Sequence, residues 1–327
     1  MNYNATNLLR IAKYLIAGSA MLLAFAAAAQ NYPAKPVRVL AGFGSGGGSD
    51  AMVRQVSTLM AGQIGQAMNV ENKPGAGSVQ IVSDALNAPA DGYTVMALDN
   101  GVFVYNAVLY KKLPYDAAAL APIGTLARAP LMLVTHPGAG FKHVRDMLEK
   151  AKGPTKLTYA SPSIGNPSHV AMEMLKKRAG VPIVRVPFGS DASALKDVLA
   201  GQVDLAVIDL PSAMQHIRSG KLQVLATFGS KRVNAAADAP AIAELGYTDL
   251  AMYVWQSLAV SASTPKEVQA KLTASMQTAM GNAGLRKNLT DTGWEILASD
   301  AGLMSAYVAA DTRVWHKLIK EAGISAD

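Results

Sequence analysis

The chain has 327 residues, of which half are hydrophobic and 16% are charged, and its formal net charge is +7 at pH 7. It contains no cysteine, which excludes disulfides, thiol catalysis and thiolate metal sites. Its Lys and Arg residues are scattered, with no aromatic residues between them, so the charge predicts a mild attraction for anions and no nucleic-acid partner.

The first thirty residues have the pattern of a secretory signal peptide. Arg10 and Lys13 form a basic start, residues 14–27 form an apolar stretch, and Ala27 and Ala29 fit an A-x-A cleavage site. The apolar stretch is shorter than the roughly 20 residues that a membrane-spanning helix needs. We therefore expect export to the periplasm, with cleavage near Ala29.

Strand-like apolar runs alternate with amphipathic segments through most of the remaining chain, which predicts a parallel α/β sheet with crossover helices. A first series of strands is predicted over residues 37–41, 68–72 and 93–98, and a second over 131–135, 156–160, 183–186, 203–208 and 222–228. A strand over 253–262 and a helix-rich end of the chain follow. We expect this end to pack on the first series.

The two series predict two lobes, because about 300 residues exceed the size of an average single core. After a signal peptide at residues 1–29, the first lobe is predicted to comprise residues 30–127 and 252–327. The second lobe is predicted to comprise residues 128–251. The chain would then cross between the lobes twice, and two such crossings favour a hinge.

A glycine-rich stretch, GFGSGGGSD at residues 42–50, lies between the first strand and a helix. It fits G-x-G-x-x-G, but export argues against a nicotinamide cofactor, and Gly48 stands where a P-loop requires lysine. GGSDA around Ser49 is close to a nucleophile elbow, although its last glycine is replaced by alanine. A serine hydrolase also needs a histidine base, and we expect all five histidines to be surface or capping residues: His136, His143, His169, His216 and His316.

A helix N-terminus with free N–H groups remains, which a small anion can approach because glycine has no side chain. Similar loops occur at residues 71–78 (ENKPGAGS), 161–168 (SPSIGNPS) and 188–191 (FGSD). Four such loops, two from each lobe, favour a carboxylate held in the crevice at the carboxyl ends of the strands, although each alone could be an ordinary capped loop. No cofactor and no metal site is expected.

Several longer segments carry a resemblance to a known family. NYPAKPVRVLAGFGSGGGSD, VENKPGAG, PADGYTV, LYKKLPYD, AGQVDLAVIDLPSAMQHIRSGKL and APAIAELGY resemble the Bug family of periplasmic solute-binding proteins, the receptors of tripartite tricarboxylate transporters. The resemblance covers essentially the whole mature chain. It implies a type II periplasmic-binding-protein fold: two α/β lobes, a hinge of two crossover strands, and a cleft that closes on a small organic acid. The expected partners of a monomeric protein are then a small carboxylate and a membrane permease.

In that family, backbone amides and hydroxyls of the facing loops hold a carboxylate, partly through ordered water. Carried over by position, the first-lobe candidates are Phe43, Gly46, Gly47, Ser49, Asp50, Gly75, Ala76, Gly77 and Ser78, and the second-lobe candidates are Ser161, Ser163, Gly165, Asn166 and Ser190. The candidate set also includes Asp99, Asn100, Phe188 and Asp209 from the same or neighbouring loops.

Some positions depart from the family pattern. Asp99 stands where a small residue or Thr is common, Phe188 and Gly189 replace a usual Tyr and Lys, and Ile164 and Ile208 replace a usual Asn and Asp. These changes would lower the polarity of the second lobe's rim, and an aspartate in the cleft would repel a polyanion. We therefore expect a monocarboxylate with an apolar or aromatic body, or an amino-bearing acid, rather than citrate. The alternative is that Asp99 only caps its loop and the apolar residues pack inside.

Two other functions stay open at this point. An exported serine hydrolase using Ser49 would turn over esters. A sensor subunit would bind the same acids but signal to a membrane kinase instead of feeding a transporter.

Overall fold

The structure, a computed structural model, describes residues 32–326. The predicted signal peptide and its cleavage site lie outside these residues. The strands are β1 (Val37–Ala41), β2 (Met68–Asn72), β3 (Thr94–Asp99), β4 (Leu120–Thr135), β5 (Thr158–Ser161), β6 (Val184–Pro187), β7 (Leu205–Asp209), β8 (Gln223–Thr227), β9 (Tyr253–Ser261) and β10 (Glu295–Ile296). The helices are α1 (Gly48–Ile64), α2 (Val79–Asn87), α3 (Asn106–Leu109), α4 (Val144–Lys152), α5 (Pro167–Ala179), α6 (Asp191–Leu199), α7 (Leu210–Arg218), α8 (Lys266–Gly281), α9 (Ala283–Asp291) and α10 (Ala301–Ala322).

One mixed sheet runs through both lobes in the order β2-β1-β3-β9-β4-β7-β5-β6, and β8 and β10 also pair with β4. Within each βα series the strands are parallel, as predicted, with β1 between β2 and β3, and β5 between β6 and β7. The prediction was wrong for the middle of the sheet, where β9 and β4 run antiparallel to each other and to β3, β7 and β8. The reason is that β4 leads the chain out of the first lobe and β9 leads it back.

The strand β4 belongs to both lobes. Residues 120–130 pair with β9, and residues 131–135 pair with β7 and β8. The sequence predicted only the second of these parts, because the first contains Pro122, Gly124 and Pro130, which usually mark strand ends. The structure accommodates them through register shifts after Pro122 and after Thr125. Such bulges bend the strand without ending it.

The two crossovers between the lobes are thus β-strands and not free linkers. The predicted boundary after residue 127 falls inside β4, and the boundary after residue 251 falls just before β9 begins. These lobe boundaries stay predictions. The C-terminal helices pack on the first-lobe side, where α8 contacts α1 and β4, and α10 contacts β4. Among residues 32–326, no helix combines the length and the apolar character needed to cross a membrane.

The turn after β3 is tied to β9 by Asn100, which is 1% exposed. Its Nδ2 donates to the Tyr105 hydroxyl at 2.9 Å and to the Tyr253 carbonyl at 3.0 Å. Its Oδ1 accepts from the Trp255 amide at 3.3 Å. Asn100 therefore uses its polar atoms to hold the crossover strand against the first lobe.

Replacing Asn100 with alanine should lower the free energy of unfolding by about 2–4 kcal/mol, because each buried group that loses its partner costs about 1–3 kcal/mol. Urea unfolding of the mature protein would measure this. The matched control is Asn69→Ala at an exposed position of β2, for which we expect a change within about 0.5 kcal/mol. Equal losses in the two variants would contradict the role given to Asn100.

Candidate ligand-binding site

The loops that follow β1, β2 and β3 in the first lobe meet those that follow β5 and β6 in the second lobe at one small cavity of about 20 Å³. This volume holds about one water molecule, so the lobes are closed on each other. The cavity is lined by Gly42, Phe43, Gly44, Pro74, Gly77, Ser78, Asp99, Pro162, Ser163, Asn166, Gly189, Ser190 and Asp191.

The structure brings together part of the predicted site. The predicted residues that line the cavity are Phe43, Gly77, Ser78, Asp99, Ser163, Asn166 and Ser190. Lining residues outside the predicted set are Gly42, Gly44, Pro74, Pro162, Gly189 and Asp191. The missed residues all belong to the loops that the sequence identified. The residue type of Asp191 carries no ligand signal, since an acidic residue in the first turn of a helix is common without any ligand.

The glycines of the first loop allow the lobes to approach closely. A methyl group on Gly44 would lie 2.2 Å from Ser190 Cβ and 2.7 Å from the Gly189 carbonyl oxygen. One on Gly48 would lie 2.6 Å from a carbon of Pro211. Such contacts are far inside van der Waals distance, so only glycine permits this closed arrangement at either position. The glycine-rich loop is thus a surface for closure as well as a helix N-terminus.

The first turn of α1 also bonds across the gap, where the Gly48 amide donates to Ser212 Oγ at 2.8 Å. Gly46 and Gly47, both predicted ligand residues, line a separate and larger cavity of about 520 Å³ beside this turn, together with Lys196, Ser212 and other residues of α6 and α7. They therefore do not line the small cavity.

The side chain of Asp50 stabilises the glycine-rich loop that precedes it. Its carboxylate accepts from the Gly46 amide at 3.0 Å, from Asn72 Nδ2 at 2.8 Å and from Arg54 Nε at 3.0 Å. Burial alone would raise the pKa of Asp50, but the bonds from Gly46, Arg54 and Asn72 together lower it. A carboxylate with these partners shapes the glycine loop and is not presented to a ligand.

Ser49 is 4% exposed, and its hydroxyl accepts a hydrogen bond from Gln256 Nε2 at 2.8 Å. An amide cannot serve as the general base that a serine nucleophile needs. The local geometry therefore gives no support to the hydrolase alternative.

The expectation for the histidines was wrong at His169, which is 4% exposed. Its Nδ1 accepts from the Gly165 amide at 3.2 Å, and burial lowers its pKa to about 4. Its neutral ring fixes the loop before α5 from inside. His136, by contrast, accepts from the Gly138 amide as a capping residue.

Several polar candidates of the second lobe cap helices. Asn166 Oδ1 accepts from the amide of His169 at the start of α5, and Ser190 Oγ accepts from that of Ser193 at the start of α6. Asp209 Oδ1 accepts from the amide of Ser212 at the start of α7. The capping interpretation of these loops is therefore correct, and it coexists with the lining of the cavity by Asn166 and Ser190.

The remaining candidates do not line the cavity. Ser161 is 1% exposed and donates to the Ser163 carbonyl, while Gly75 and Ala76 form the turn before Gly77. Phe188 packs against the apolar core of the second lobe. Ile208, which was expected to lower the polarity of the rim, is 0% exposed in the same core, so that expectation was wrong. Asn100 bonds to β9 as described above.

The cavity is acidic. Asp99 and Asp191 line it, and none of the described residues that line it is Lys, Arg or His. Burial raises the pKa of Asp99 to about 6, against bonds from the Gly101 and Val102 amides that lower it. Burial, and then the charges of Asp209 and Asp99, raise the pKa of Asp191 well above its usual value. Burial also raises the pKa of Asp209.

Two α/β lobes, joined by two crossover strands and closed on loops at the strand ends, define the type II periplasmic-binding-protein fold, a fold of solute-binding proteins. The family described as "Tripartite tricarboxylate transporter family receptor" matches residues 52–324, and the chain belongs to this family. The resemblance to the Bug family is confirmed by the same match and by the relatives below.

Among curated relatives, a UPF0065 protein of Bordetella pertussis is 34% identical over 266 residues, covering 81% of this chain and 82% of that protein. Protein BugT of the same organism is 26% identical over 323 residues, covering 98% of each. Both alignments span most of the two chains, as expected for members of one family.

Solved structures show the same fold. The periplasmic binding protein BugD matches with a TM-score of 0.85 at 29% identity, covering 90% of this chain and 99% of that one. Rpa4515 of R. palustris, solved with adipate, matches with a TM-score of 0.83 at 27% identity over 90% and 99%. MatC of Rhodopseudomonas palustris, solved with bound malate, matches with a TM-score of 0.84 at 25% identity over 88% and 100%.

Replacing Gly44 with alanine should hold the lobes apart, because the three atoms nearest to the added methyl group all belong to the second lobe. The unfolding free energy should stay within about 1 kcal/mol of the parent, while small-angle scattering should show a larger radius of gyration. The control is Gly189→Ala, which faces the same gap with no atom within 4 Å of its added carbon. Scattering identical to that of the parent would rule out the steric role of Gly44.

Proposed function

We propose that the protein captures a small organic acid in the cleft between its lobes and delivers it to the membrane permease of a tripartite tricarboxylate-type transporter. The observation that carries this proposal is the convergence of five loops, from both lobes, on one cavity. Membership of the receptor family supports it. So do adipate and malate in two related structures.

Binding requires the lobes to open and close. A cavity of about 20 Å³ is too small for a dicarboxylate, so the acid must enter while the loops of the two lobes are apart. The hydroxyls of Ser78, Ser163 and Ser190 and the amide of Asn166 then supply hydrogen bonds from both sides. Contacts that exist only in the closed form, such as Gly48 to Ser212, allow a ligand to shift the population toward closure.

The rest of the proposal concerns the cellular setting. The N-terminal pattern supports export with cleavage near Ala29. The mature protein acts as a monomer in the periplasm, and its closed form presents both lobes to the permease. It has no catalytic role, and its family is one of receptors.

Thermal unfolding of the mature protein against mono-, di- and tricarboxylates, aromatic acids and amino acids tests the binding step. A ligand at about 100 times its dissociation constant adds roughly 2.7 kcal/mol to folded-state stability, which raises the melting temperature by several degrees. Ester turnover in the presence of the parent protein and of the Ser49→Ala variant should equal the rate in buffer alone. A serine hydrolase would instead turn over esters and lose that activity in the variant. Loss of uptake of the identified ligand in cells without the permease separates transport from sensing.

A further inference from the structure

Carboxyl groups approach the closed cleft from both lobes. Asp99 ends β3 in the first lobe, while Asp191 and Asp209 begin α6 and end β7 in the second. A methyl group on Gly47 would lie 3.3 Å from Asp191 Oδ2, and one on Gly48 would lie 3.1 Å from Asp209 Oδ1. Both second-lobe carboxyls therefore lie against the first turn of α1, near the place where a ligand carboxylate was expected.

A buried amide oxygen without a partner lies between the lobes, next to Gly77 of the first lobe and Gly165 of the second. Asn106 is 0% exposed, and its Nδ2 donates to the Gly77 carbonyl at 2.8 Å and to the Tyr115 hydroxyl at 2.9 Å. Because a carbonyl can only accept, this orientation of the amide is fixed. Asn106 Oδ1 then has no hydrogen-bond donor among residues 32–326.

The position of this oxygen is set by two glycines, one from each lobe. A methyl group on Gly77 would lie 2.9 Å from Asn106 Oδ1, and one on Gly165 would lie 3.2 Å from it. The carbonyl oxygen of Gly165 in turn lies beside Asp99, since a methyl group on Gly101 would be 2.9 Å from that carbonyl and 2.8 Å from Asp99 Oδ1. Gly165 therefore lies between Asn106 Oδ1 and the carboxyl group of Asp99.

Asn106 Oδ1 has no donor among residues 32–326, and no Lys, Arg or His among the described residues lines the cavity to match Asp99 and Asp191. A buried acceptor without a donor costs free energy, so a fitting ligand brings N–H groups and positive charge. A bare metal ion does not fit, because no group of three or more His, Cys, Asp or Glu residues among residues 32–326 is arranged to hold one. An alkylammonium group offers three donors on one compact charge and matches carboxylate and amide oxygens.

We propose that the organic acid bound in this cleft carries a protonated amine, held by Asp99 of the first lobe, Asp191 of the second lobe and Asn106 Oδ1. The inference rests on the proposed function, since it takes the interlobe cleft as the binding site. It selects the amino-bearing acid from the alternatives that the sequence left open. A tricarboxylate without an amine is disfavoured, because its carboxylates would meet Asp99 and Asp191 in a cavity that no Lys, Arg or His among the described residues lines.

The amine site has a defined pH dependence. Asp191, Tyr105 and Tyr115 interact electrostatically with Asp99. Asp209 acts on Asp191, and His169 lies behind Gly165. Burial raises the pKa of both tyrosines and lowers that of His169 to about 4. Between pH 5 and 8 these three groups are therefore neutral, while Asp99, with a pKa of about 6, changes charge in this range.

The direction in which ligand affinity changes with pH follows from the raised pKa of Asp99, about 6. At pH 5 only about a tenth of this group is ionised, and an ammonium ligand binds the ionised form. Affinity for an amino acid should therefore rise about ten-fold from pH 5 to pH 7. Affinity for an acid without the amine should fall over the same range, because the cleft becomes more negative.

Calorimetric titration of the mature protein with paired ligands tests the inference. The pairs are aspartate with succinate, 2-aminoadipate with adipate, and 4-aminobutyrate with butyrate, and butylamine serves as an amine without a carboxylate. We expect the amino member of at least one pair to bind ten-fold or more tightly than its partner, with the pH dependence given above.

Two isosteric variants connect the preference to the site. Asp99→Asn keeps an oxygen that can accept from Gly101, and it should abolish the preference for the amine and flatten the pH profile. Asp191→Asn gives a second variant if the first is unstable, and it should reduce the preference in the same direction. Asp238→Asn, which removes a charge at an exposed position outside the cavity, should behave as the parent.

The outcomes separate this inference from the proposed function. If acids without an amine bind as tightly as their amino partners, the amine site is wrong and the carboxylate receptor stands. If butylamine binds as tightly as 4-aminobutyrate, the amine site stands and the carboxylate requirement is wrong. If no member of any pair binds while another acid of the wider panel raises the melting temperature, the amine site is wrong and the carboxylate receptor stands. If no acid of either panel binds, both proposals are overturned.

Discussion

The structure depends on one constraint, the pairing of a single 16-residue strand with two sets of neighbours. The first part of β4 is hydrogen-bonded to β9 and the second to β7 and β8. Backbone pairing on both sides fixes the directions in which the lobes leave the strand. The pairing of β4 therefore sets the relative positions of the loops that form the cleft. A hinge motion between the lobes must then bend β4 and β9.

Much of this architecture could be predicted from the sequence, because apolar runs and glycine-rich loops recur in a regular order. The first part of β4 could not, since Pro122, Gly124 and Pro130 are tolerated there only through bulges set by β9. The antiparallel middle of the sheet also escaped prediction. It follows from the way the chain crosses between lobes, which no local pattern encodes.

The candidate site was predictable as a set of loops but not as a set of atoms. Asp50 in the first turn of α1 and Asp99 at the end of β3 are both aspartates next to a strand-to-helix loop, yet Asp50 is paired with Arg54 and Asn72 while Asp99 lines the cavity. Only the folded chain distinguishes them. No sequence pattern marks Asn106. Its Nδ2 bonds to Gly77 and Tyr115, which only the folded chain brings together, and these bonds fix the position of its unpaired oxygen.

The two rims of the cleft differ in how much change they can absorb. Gly44 has no room for even one added carbon, whereas Gly189, across the same gap, has no atom within 4 Å of that position. A side chain can therefore be added at Gly189 without obstructing closure, while none can be added at Gly44. At this pair of facing positions, a substitution that alters ligand preference can arise in the second lobe but not in the first.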